Sequence, residues 1–202
     1  MLVAGNSYAA NQGGLVYKAF KPYARQFNIF SVSTCEMFPP NCNRISFNFT
    51  QIIEELNPAV VFMIDRSFSL KVSLNVTEPI ENDKVFSYYL KTLKFLEKST
   101  KKISLQYLKK GKALRTIKDA LVRRDEFFAR HRIRELCKRC RKCEIVDYMP
   151  VLVDKKGQYL GYDPETNLMY LDHENHFNRF GKQRLQIVFD KLAEEFALFM
   201  NK

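Results

Sequence analysis

The sequence predicts an α/β fold built on a parallel, doubly wound sheet. Short apolar runs alternate along the chain with segments whose apolar residues recur at helical spacing, the pattern of parallel strands joined by helices. The clearest strand covers residues 59–64, a continuous apolar run of the kind that is buried on both faces of a sheet. A length of 202 residues, 46% of them hydrophobic, suits a single domain over residues 1–202.

The first half of the chain divides into elements at clear breaks. Gly5-Asn6-Ser7 ends the first apolar run, and Asn57-Pro58 ends a helix because proline cannot continue one. The predicted elements are a strand over residues 2–4, a helix over 9–27, a strand over 29–32, a helix over 50–56 and the strand over 59–64.

The second half continues the same alternation without an internal repeat or a convincing linker. The predicted elements are a helix over residues 84–96, a strand over 103–107, one long or two broken helices over 114–143, a strand or extended segment over 146–153, a polar segment over 154–167 and a closing helix over 183–200.

The net charge of +11 is concentrated in one segment. Residues 101–142 contain sixteen Lys or Arg and four acids, a surplus of twelve, so the rest of the chain is nearly neutral. Nucleic-acid binding would call for stacking aromatics or a recognisable module beside the cations, and neither is evident. We therefore disfavour nucleic acid as a partner and expect a solvated helix face, with an anionic membrane surface as the alternative.

Ser7 follows an apolar strand and precedes a helix. This order puts the serine at the carboxyl edge of a parallel sheet, beside the backbone N–H groups of a helix N-terminus, where an oxyanion would be stabilised. A serine in this position is also an ordinary helix N-cap. The Gly-Asn-Ser turn alone therefore does not predict catalysis.

Residues 171–181 supply the groups that a reactive serine needs. This segment, Leu-Asp-His-Glu-Asn-His-Phe-Asn-Arg-Phe-Gly, contains two of the three histidines of the chain together with two acids. A hydrolytic serine works with a histidine base and an orienting carboxylate. A surface loop could have the same composition, so the hypothesis depends on Ser7 and this segment together.

These segments resemble the SGNH hydrolase superfamily, in particular the SGNH domains that follow the multi-spanning part of membrane O-acyltransferases, including a large invertebrate branch. Residues 3–9 resemble the family's first block, usually Gly-Asp-Ser, and residues 31–35 and 57–64 resemble its second and third strands. Residues 176–181 are similar to its last block, in which an acid and a short spacer precede His-Leu-Ser and a glycine. The resemblance covers nearly the whole chain and implies a three-layer sandwich with a central parallel sheet, as in flavodoxin-like hydrolases.

The resemblance implies Ser7 as nucleophile, His176 as general base in preference to His173, and Asp172 as orienting carboxylate. The implied activity is that of an O-acyltransferase or ester hydrolase, which forms an acyl-enzyme on Ser7 and needs no cofactor or metal. Its partners would be an acyl donor and a hydroxyl acceptor on a glycan or lipid. We expect the chain to be a fragment or homologue of a longer membrane acyltransferase. As part of such a longer chain, it would lie on the extracellular or lumenal side of the membrane.

Three departures from the family pattern leave a second hypothesis open. Asn6 replaces the usual Asp, Asp172 precedes His176 by four residues where three is commoner, and no Gly-x-Asn block supplies oxyanion donors. Arg66, just after the third strand, is the candidate donor, although a structural or rim role is also open. The alternative to an enzyme is a catalytically degenerate module that binds a glycan or lipid or stabilises a larger transferase.

The five cysteines form a pair and a trio. A tetrahedral zinc site wants four ligands, and no fourth Cys or His lies near the trio in sequence. In a lumenal or extracellular setting, with which the two sequons at residues 48–50 and 75–77 agree, we expect disulfides within each group and one free thiol. The candidates are Cys35 with Cys42, and Cys140 with Cys143, beside Cys137.

The chain as written contains no run of eighteen or more apolar residues and no apolar stretch at its start long enough for a signal-peptide core. We therefore expect the segment itself to fold in water.

Overall fold

The computed structural model describes residues 1–37, 40–42, 47–66, 69–107, 126–156 and 161–200. Short 3-10 turns cover Lys21–Tyr23, Ser69–Lys71 and Ile80–Asn82. The strands and helices are, in chain order, β1 (Leu2–Gly5), α1 (Ser7–Phe20), β2 (Asn28–Ser31), β3 (Glu36–Met37), β4 (Pro40–Asn41), α2 (Phe49–Leu56), β5 (Val60–Ile64), α3 (Lys84–Ser99), β6 (Lys102–Tyr107), α4 (Glu126–Lys138), β7 (Cys143–Asp147), α5 (Met149–Leu152) and α6 (Arg179–Met200).

Five strands form one sheet in the order β2-β1-β5-β6-β7. Strand β1 pairs in parallel with both β2 and β5, and β5 pairs in parallel with β6. When the small antiparallel hairpin β3–β4 is set aside, this is the doubly wound order 2-1-3-4-5, whose switch point lies between β1 and β5. The predicted α/β class with a central parallel sheet is confirmed.

The described residues form two compact units. The first contains residues 1–10, the described residues from 28 to 107, and residues 126–146. Strand β5 is buried along its whole length, as its continuous apolar sequence predicts, and side chains of α2, α3 and α4 join it in one hydrophobic core. This unit carries the sheet and therefore the carboxyl edge at which Ser7 lies.

A buried arginine ties α4 into the first unit. The guanidinium of Arg132 is fully buried and donates from Nε and Nη2 to Asp83, each at 2.8 Å, and from Nη1 to the carbonyls of Leu70 and Val72 at 2.7 Å. Asp83 also accepts the Phe86 N–H at the start of α3. The hydrogen bonds from Arg132 hold the pKa of the Asp83 carboxyl below its ordinary value. A buried cation with this many acceptors is fully compensated, so either partner alone would be costly to remove.

The second unit contains residues 11–27 and the described residues from 147 to 200. Its core is aromatic: the Tyr148 ring packs edge-on against those of Phe177 and Phe189. The Tyr148 hydroxyl donates to Oε1 of Gln12 at 2.7 Å, and complete burial raises its pKa. This packing holds the segment around His176 through its neighbour Phe177.

Two element boundaries differ from the sequence prediction because of prolines. The helix expected over residues 9–27 begins at Ser7 and ends at Phe20, since Pro22 falls in the next 3-10 turn. The strand or extended segment expected over 146–153 is instead a strand that starts at Cys143 and ends at Asp147, because Pro150 fits the first turn of the short helix α5. Of the one long or two broken helices expected over 114–143, the structure shows α4 over Glu126–Lys138, whereas residues 139–142 are not helical and Cys143 begins β7. Residues 108–125 lie outside the described residues.

We expect Gly5→Ala to destabilise the protein. A Cβ at Gly5 would approach the carbonyl carbon and oxygen of Ile64 closer than 3.0 Å, so β1 and β5 would have to separate. Overpacking of this kind costs about 1–3 kcal/mol or more in free energy of unfolding, measurable by urea denaturation. The matched control is Gly14→Ala: a Cβ there meets nothing within 4 Å, and alanine should stabilise the helix by about 0.5–1 kcal/mol. Equal stability of the two variants would contradict the packing argument.

Candidate active site

Ser7 lies where β1 ends and α1 begins. The turn Gly5-Asn6-Ser7 leaves the sheet at its switch point, and Ser7 is the first residue of a fourteen-residue helix. The Asn6 carbonyl accepts the Ala9 N–H at 2.9 Å, which starts the helical hydrogen bonds directly behind the serine. The half-buried Ser7 is thus presented at the edge where doubly wound folds bind ligands, beside the positive end of a helix dipole.

The side-chain amide of Asn6 locks this turn to the end of β5. Asn6 is 2% exposed, and its Oδ1 accepts the backbone N–H of Tyr8 at 3.2 Å and of Arg66 at 3.3 Å. Its Nδ2 donates to the Arg66 carbonyl at 3.2 Å. Asparagine is therefore used here as donor and acceptor at once, which an ionised aspartate could not be.

Asp65 holds the same turn from the other side. Its Oδ1 accepts the Asn6 backbone N–H at 2.7 Å, and its Oδ2 accepts the Met37 N–H of β3 at 2.9 Å. One carboxylate thus joins the Gly5-Asn6-Ser7 turn to the β3–β4 hairpin. Asp65 has no recognisable role in the sequence, because its partners lie 59 and 28 residues away along the chain.

Arg66, the predicted oxyanion donor, contributes its backbone to this lock. Both its N–H and its carbonyl bind the Asn6 side-chain amide, so the chain after β5 lies close to the Gly5-Asn6-Ser7 turn. Arg66 is half-buried at the carboxyl end of β5. The role of its guanidinium stays a prediction.

Asp172 shapes the turn that carries His176. Its Oδ1 accepts the backbone N–H groups of Glu174 and His176, each at 2.9 Å, while the Asp172 N–H donates to the His176 carbonyl at 2.9 Å. Asn175 completes the turn with φ of 63°, a conformation that asparagine tolerates better than most residues. Residues 172–176 thus form a tight loop closed by its own side chain.

The carboxylate that the structure places beside the imidazole is that of Glu174. Its Oε2 lies 3.4 Å from Nδ1 of His176, whose side chain is 17% exposed, whereas that of Glu174 is 65% exposed. Glu174 was not singled out from the sequence, because an acid two residues before a histidine has no distinctive spacing. The assignment of Asp172 as orienting acid stays a prediction.

The residues after His176 anchor it within the second unit. Nδ2 of Asn11 donates to the Phe177 carbonyl at 3.2 Å, and Phe177 is buried. Oδ1 of Asn178 accepts the N–H groups of Phe180 and Gly181, which caps α6. A Cβ at Gly181 would meet the Tyr170 carbonyl oxygen closer than 3.0 Å, so only glycine fits. In the segment that resembles the family's last block, the residues at three positions thus have a structural role: Phe177, Asn178 and Gly181.

The predicted site residues belong to both units. Ser7 and Arg66 are in the first, at one edge of the sheet, with Asn6 and Asp65 between them. Asp172 and His176 are in the second, in one turn. Their convergence on Ser7 is part of the proposal made below.

The cysteines form two bridges. The sulfurs of Cys35 and Cys42 are bonded to each other, as are those of Cys140 and Cys143. Cys137 is a free thiol whose pKa is raised by burial to about 11, which keeps it protonated and unreactive at neutral pH. Within the described ranges, no group of three or more His, Cys, Asp or Glu side chains could hold a metal ion.

Part of the basic segment is internally neutralised. At the end of α4, Glu135 pairs with Lys138 and with Arg139, which follows the helix, and Arg139 also pairs with Glu81. Residues 108–125, which hold many of its cations, are outside the described residues, so the membrane-surface hypothesis stays a prediction. In the part of the chain that the structure describes, no helix is both long and apolar enough to span a bilayer.

The family described as "SGNH domain (fused to AT3 domains)" has a sequence profile that matches residues 1–191. No curated protein sequence matches the chain significantly.

Among solved structures, a GDSL-like lipase from Bacteroides thetaiotaomicron is 15% identical with a TM-score of 0.56, covering 96% of this chain and 87% of its own. The acetyl xylan esterase AlAXEase is 13% identical with a TM-score of 0.55, covering 93% and 97%. The hydrolase LAE5, from the metagenome of Lake Arreo in Spain, is 14% identical with a TM-score of 0.55, covering 96% and 94%. These likenesses concern the fold.

We expect Asn6→Asp to destabilise the protein by about 1–3 kcal/mol at neutral pH. The substitution removes the donor to the Arg66 carbonyl and places a second carboxylate next to Asp65. Because the new carboxyl would be harder to ionise folded than unfolded, its deficit should be small below its unfolded pKa and should grow as the pH rises.

Urea denaturation between acid and neutral pH measures this deficit. The control is Asn6→Ala, which loses the same hydrogen bonds without adding a charge, so its deficit should not vary with pH in this way. A pH-independent deficit in Asn6→Asp would contradict the electrostatic argument.

Proposed function

We propose that this chain, which belongs to the family of SGNH domains fused to AT3 domains, transfers or hydrolyses an ester-linked acyl group through a covalent intermediate on Ser7. The observation that carries the proposal is the place of Ser7, at the switch point of the sheet and at the start of α1. Ester hydrolysis and O-acyl transfer share this chemistry and differ only in whether water or another hydroxyl accepts the acyl group.

In the proposed first step, Oγ of Ser7 attacks the acyl carbonyl carbon while His176 takes the hydroxyl proton. The resulting oxyanion is stabilised by donors at the helix start and, in our assignment, by the Arg66 guanidinium. The bond to the leaving alcohol or thiol then breaks, and His176 returns the proton to that group. The product is an acyl-serine ester.

In the second step, His176 removes a proton from water or from an acceptor hydroxyl, which attacks the acyl-serine carbonyl. The bond to Oγ breaks, and the proton returns to Ser7. The acceptor class that we propose is a hydroxyl of a glycan or lipid, with the acyl donor delivered through a membrane acyltransferase portion, because domains of this family are fused to AT3 domains. The two disulfides suit the extracellular or lumenal side of such a membrane.

The direct test is labelling of the purified protein by a fluorophosphonate probe, which reacts with activated serines. We expect wild type to be labelled, Ser7→Ala to be unlabelled, and His176→Ala to be labelled at least about 100-fold more slowly, since general-base catalysis contributes roughly 10²–10⁴.

The matched control for this labelling is Ser87→Ala, which removes an exposed helical serine and should change nothing. A folded wild type that stays unlabelled would contradict the proposal and favour the catalytically degenerate binding module. Folding is checked by circular dichroism on each variant.

The labelling rate also decides which carboxylate assists His176. Glu174→Gln removes the charge beside Nδ1, and we expect it to slow labelling about tenfold, a modest effect because the side chain is largely exposed. Asp172→Asn keeps an acceptor for the two N–H groups of the turn and should change the rate little. The reverse result would assign the orienting role to Asp172, as the sequence resemblance implies.

A further inference from the structure

A groove of about 400 Å³ in the second unit lies between α1 and α6. Roughly 300–1,000 Å³ is the usual size of small-molecule sites. None of its lining residues has a role in the chemistry proposed for Ser7 and His176. The wall formed by α1 includes Gly14 and Lys18, and that formed by α6 includes Arg179, Lys182, Gln183 and Gln186.

The groove is cationic. No acid among the described residues forms an ion pair with Lys18, Arg179 or Lys182, so three positive charges face one space. The nearest acid along α6, Asp190, accepts a hydrogen bond from Nε2 of Gln186 at 2.7 Å, and the same nitrogen donates to the Leu15 carbonyl at 3.3 Å. A cluster of like charges that the fold leaves uncompensated is costly unless an anion binds there.

Gly14 gives the groove an open wall. A Cβ at this position would meet nothing within 4 Å, so packing does not require glycine. Glycine inside a helix is less stable than alanine. Because glycine has no side chain, the backbone of α1 at Gly14 is open beside the three cations, and a ligand can come close to the helix.

We propose that this groove binds a phosphate-type oxyanion with two or more negative charges. Arg179 can donate to two phosphate oxygens at once, while Lys18 and Lys182 supply point charges. A monocarboxylate would neutralise one cation of three, so a multiply charged phosphate is the better match. The side-chain amide of Gln183 can bind a hydroxyl of the same ligand. The phosphate could belong to a soluble phosphorylated compound or to a phospholipid headgroup.

The test is calorimetric titration of the full chain with pyrophosphate at about 0.1 M NaCl. Lys18→Gln and Lys182→Gln should each raise the dissociation constant about fivefold, the effect of one cation near an anion. Gly14→Glu should raise it more than tenfold, because the carboxylate projects into the groove without a packing clash. Gly14→Ala should leave binding within about twofold and serves as the folding control.

Lys191→Gln is the matched charge control. Lys191 lies on the same helix but outside the groove. Its side chain is highly exposed, and its Nζ lies 3.9 Å from Oε1 of Glu195. If it weakened pyrophosphate binding as much as Lys182→Gln does, the binding would reflect net charge alone and the proposal would be overturned. Thermal unfolding of every variant separates lost binding from lost folding.

The second arm measures cosedimentation with vesicles of phosphatidylcholine and anionic phosphatidylglycerol. One supporting outcome is that the protein binds the vesicles but not pyrophosphate, and that Gly14→Glu and Lys182→Gln weaken the vesicle binding. The phosphate would then belong to a lipid headgroup. Pyrophosphate binding without groove-dependent vesicle binding supports a soluble ligand. The proposal is overturned if neither probe shows binding that these two variants weaken.

The labelling of Ser7 by the fluorophosphonate is expected to be unchanged in Lys182→Gln, so this inference and the proposed acyl chemistry can fail separately.

Discussion

The close approach of β1 to β5 at Gly5 is the constraint on which the candidate nucleophile depends. With no Cβ at this position, the backbone of β1 reaches the carbonyl of Ile64, and the two strands end at the same level. The amide of Asn6 and the carboxylate of Asp65 can then bridge the two chain segments that follow. A side chain at position 5 would push the two strands apart and stretch these hydrogen bonds, and Ser7 would lose its fixed position at the start of α1.

The negative charge of Asp65 beside the Gly5-Asn6-Ser7 turn explains why asparagine is found at position 6. The first block of the family usually contains aspartate where this chain has Asn6, which by itself suggests a degenerate site. In this structure the acid is supplied by Asp65, whose two oxygens receive backbone N–H groups from Asn6 and Met37. An amide at position 6 complements that carboxylate and can also donate to the Arg66 carbonyl, whereas two neighbouring carboxylates would repel each other. The substitution therefore fits a coherent turn and is not in itself a sign of lost function.

The sequence predicted the parts of the fold that local pattern determines. Strand β5 and helix α3 were evident because each buries a continuous run or a regular stripe of apolar residues. The boundary at Phe20 and the end of β7 were misplaced where Pro22 and Pro150 act on the next turn. These errors concern the residues around each proline and leave the topology unchanged.

The parts of the site that the sequence could not predict depend on pairs that are distant in the chain or on ordinary spacing. Asp65 received no role because one of its partners, Asn6, follows β1 and the other, Met37, lies in β3, and a strand-end aspartate has many uses. Glu174 lies beside His176 only because the tight turn closed by Asp172 brings it there. The family resemblance pointed to Ser7 and His176, but the carboxylate that lies beside the imidazole is set by the geometry of the turn, which the sequence pattern does not encode.

The short segment from His176 to Lys182 contributes both to the candidate active site and to the cationic groove. Asn178 caps α6, and the first turn of that helix carries Arg179 and Lys182 into the cationic groove. The same segment starts at His176 and is held by Phe177 in the aromatic core. A change at Asn178 or Phe177 would therefore disturb both the position of His176 and the groove, and losing serine labelling and anion binding together would indicate a displaced turn. Lys18 lies on the opposite wall of the groove, in α1, so its substitution would affect anion binding without displacing the turn that holds His176.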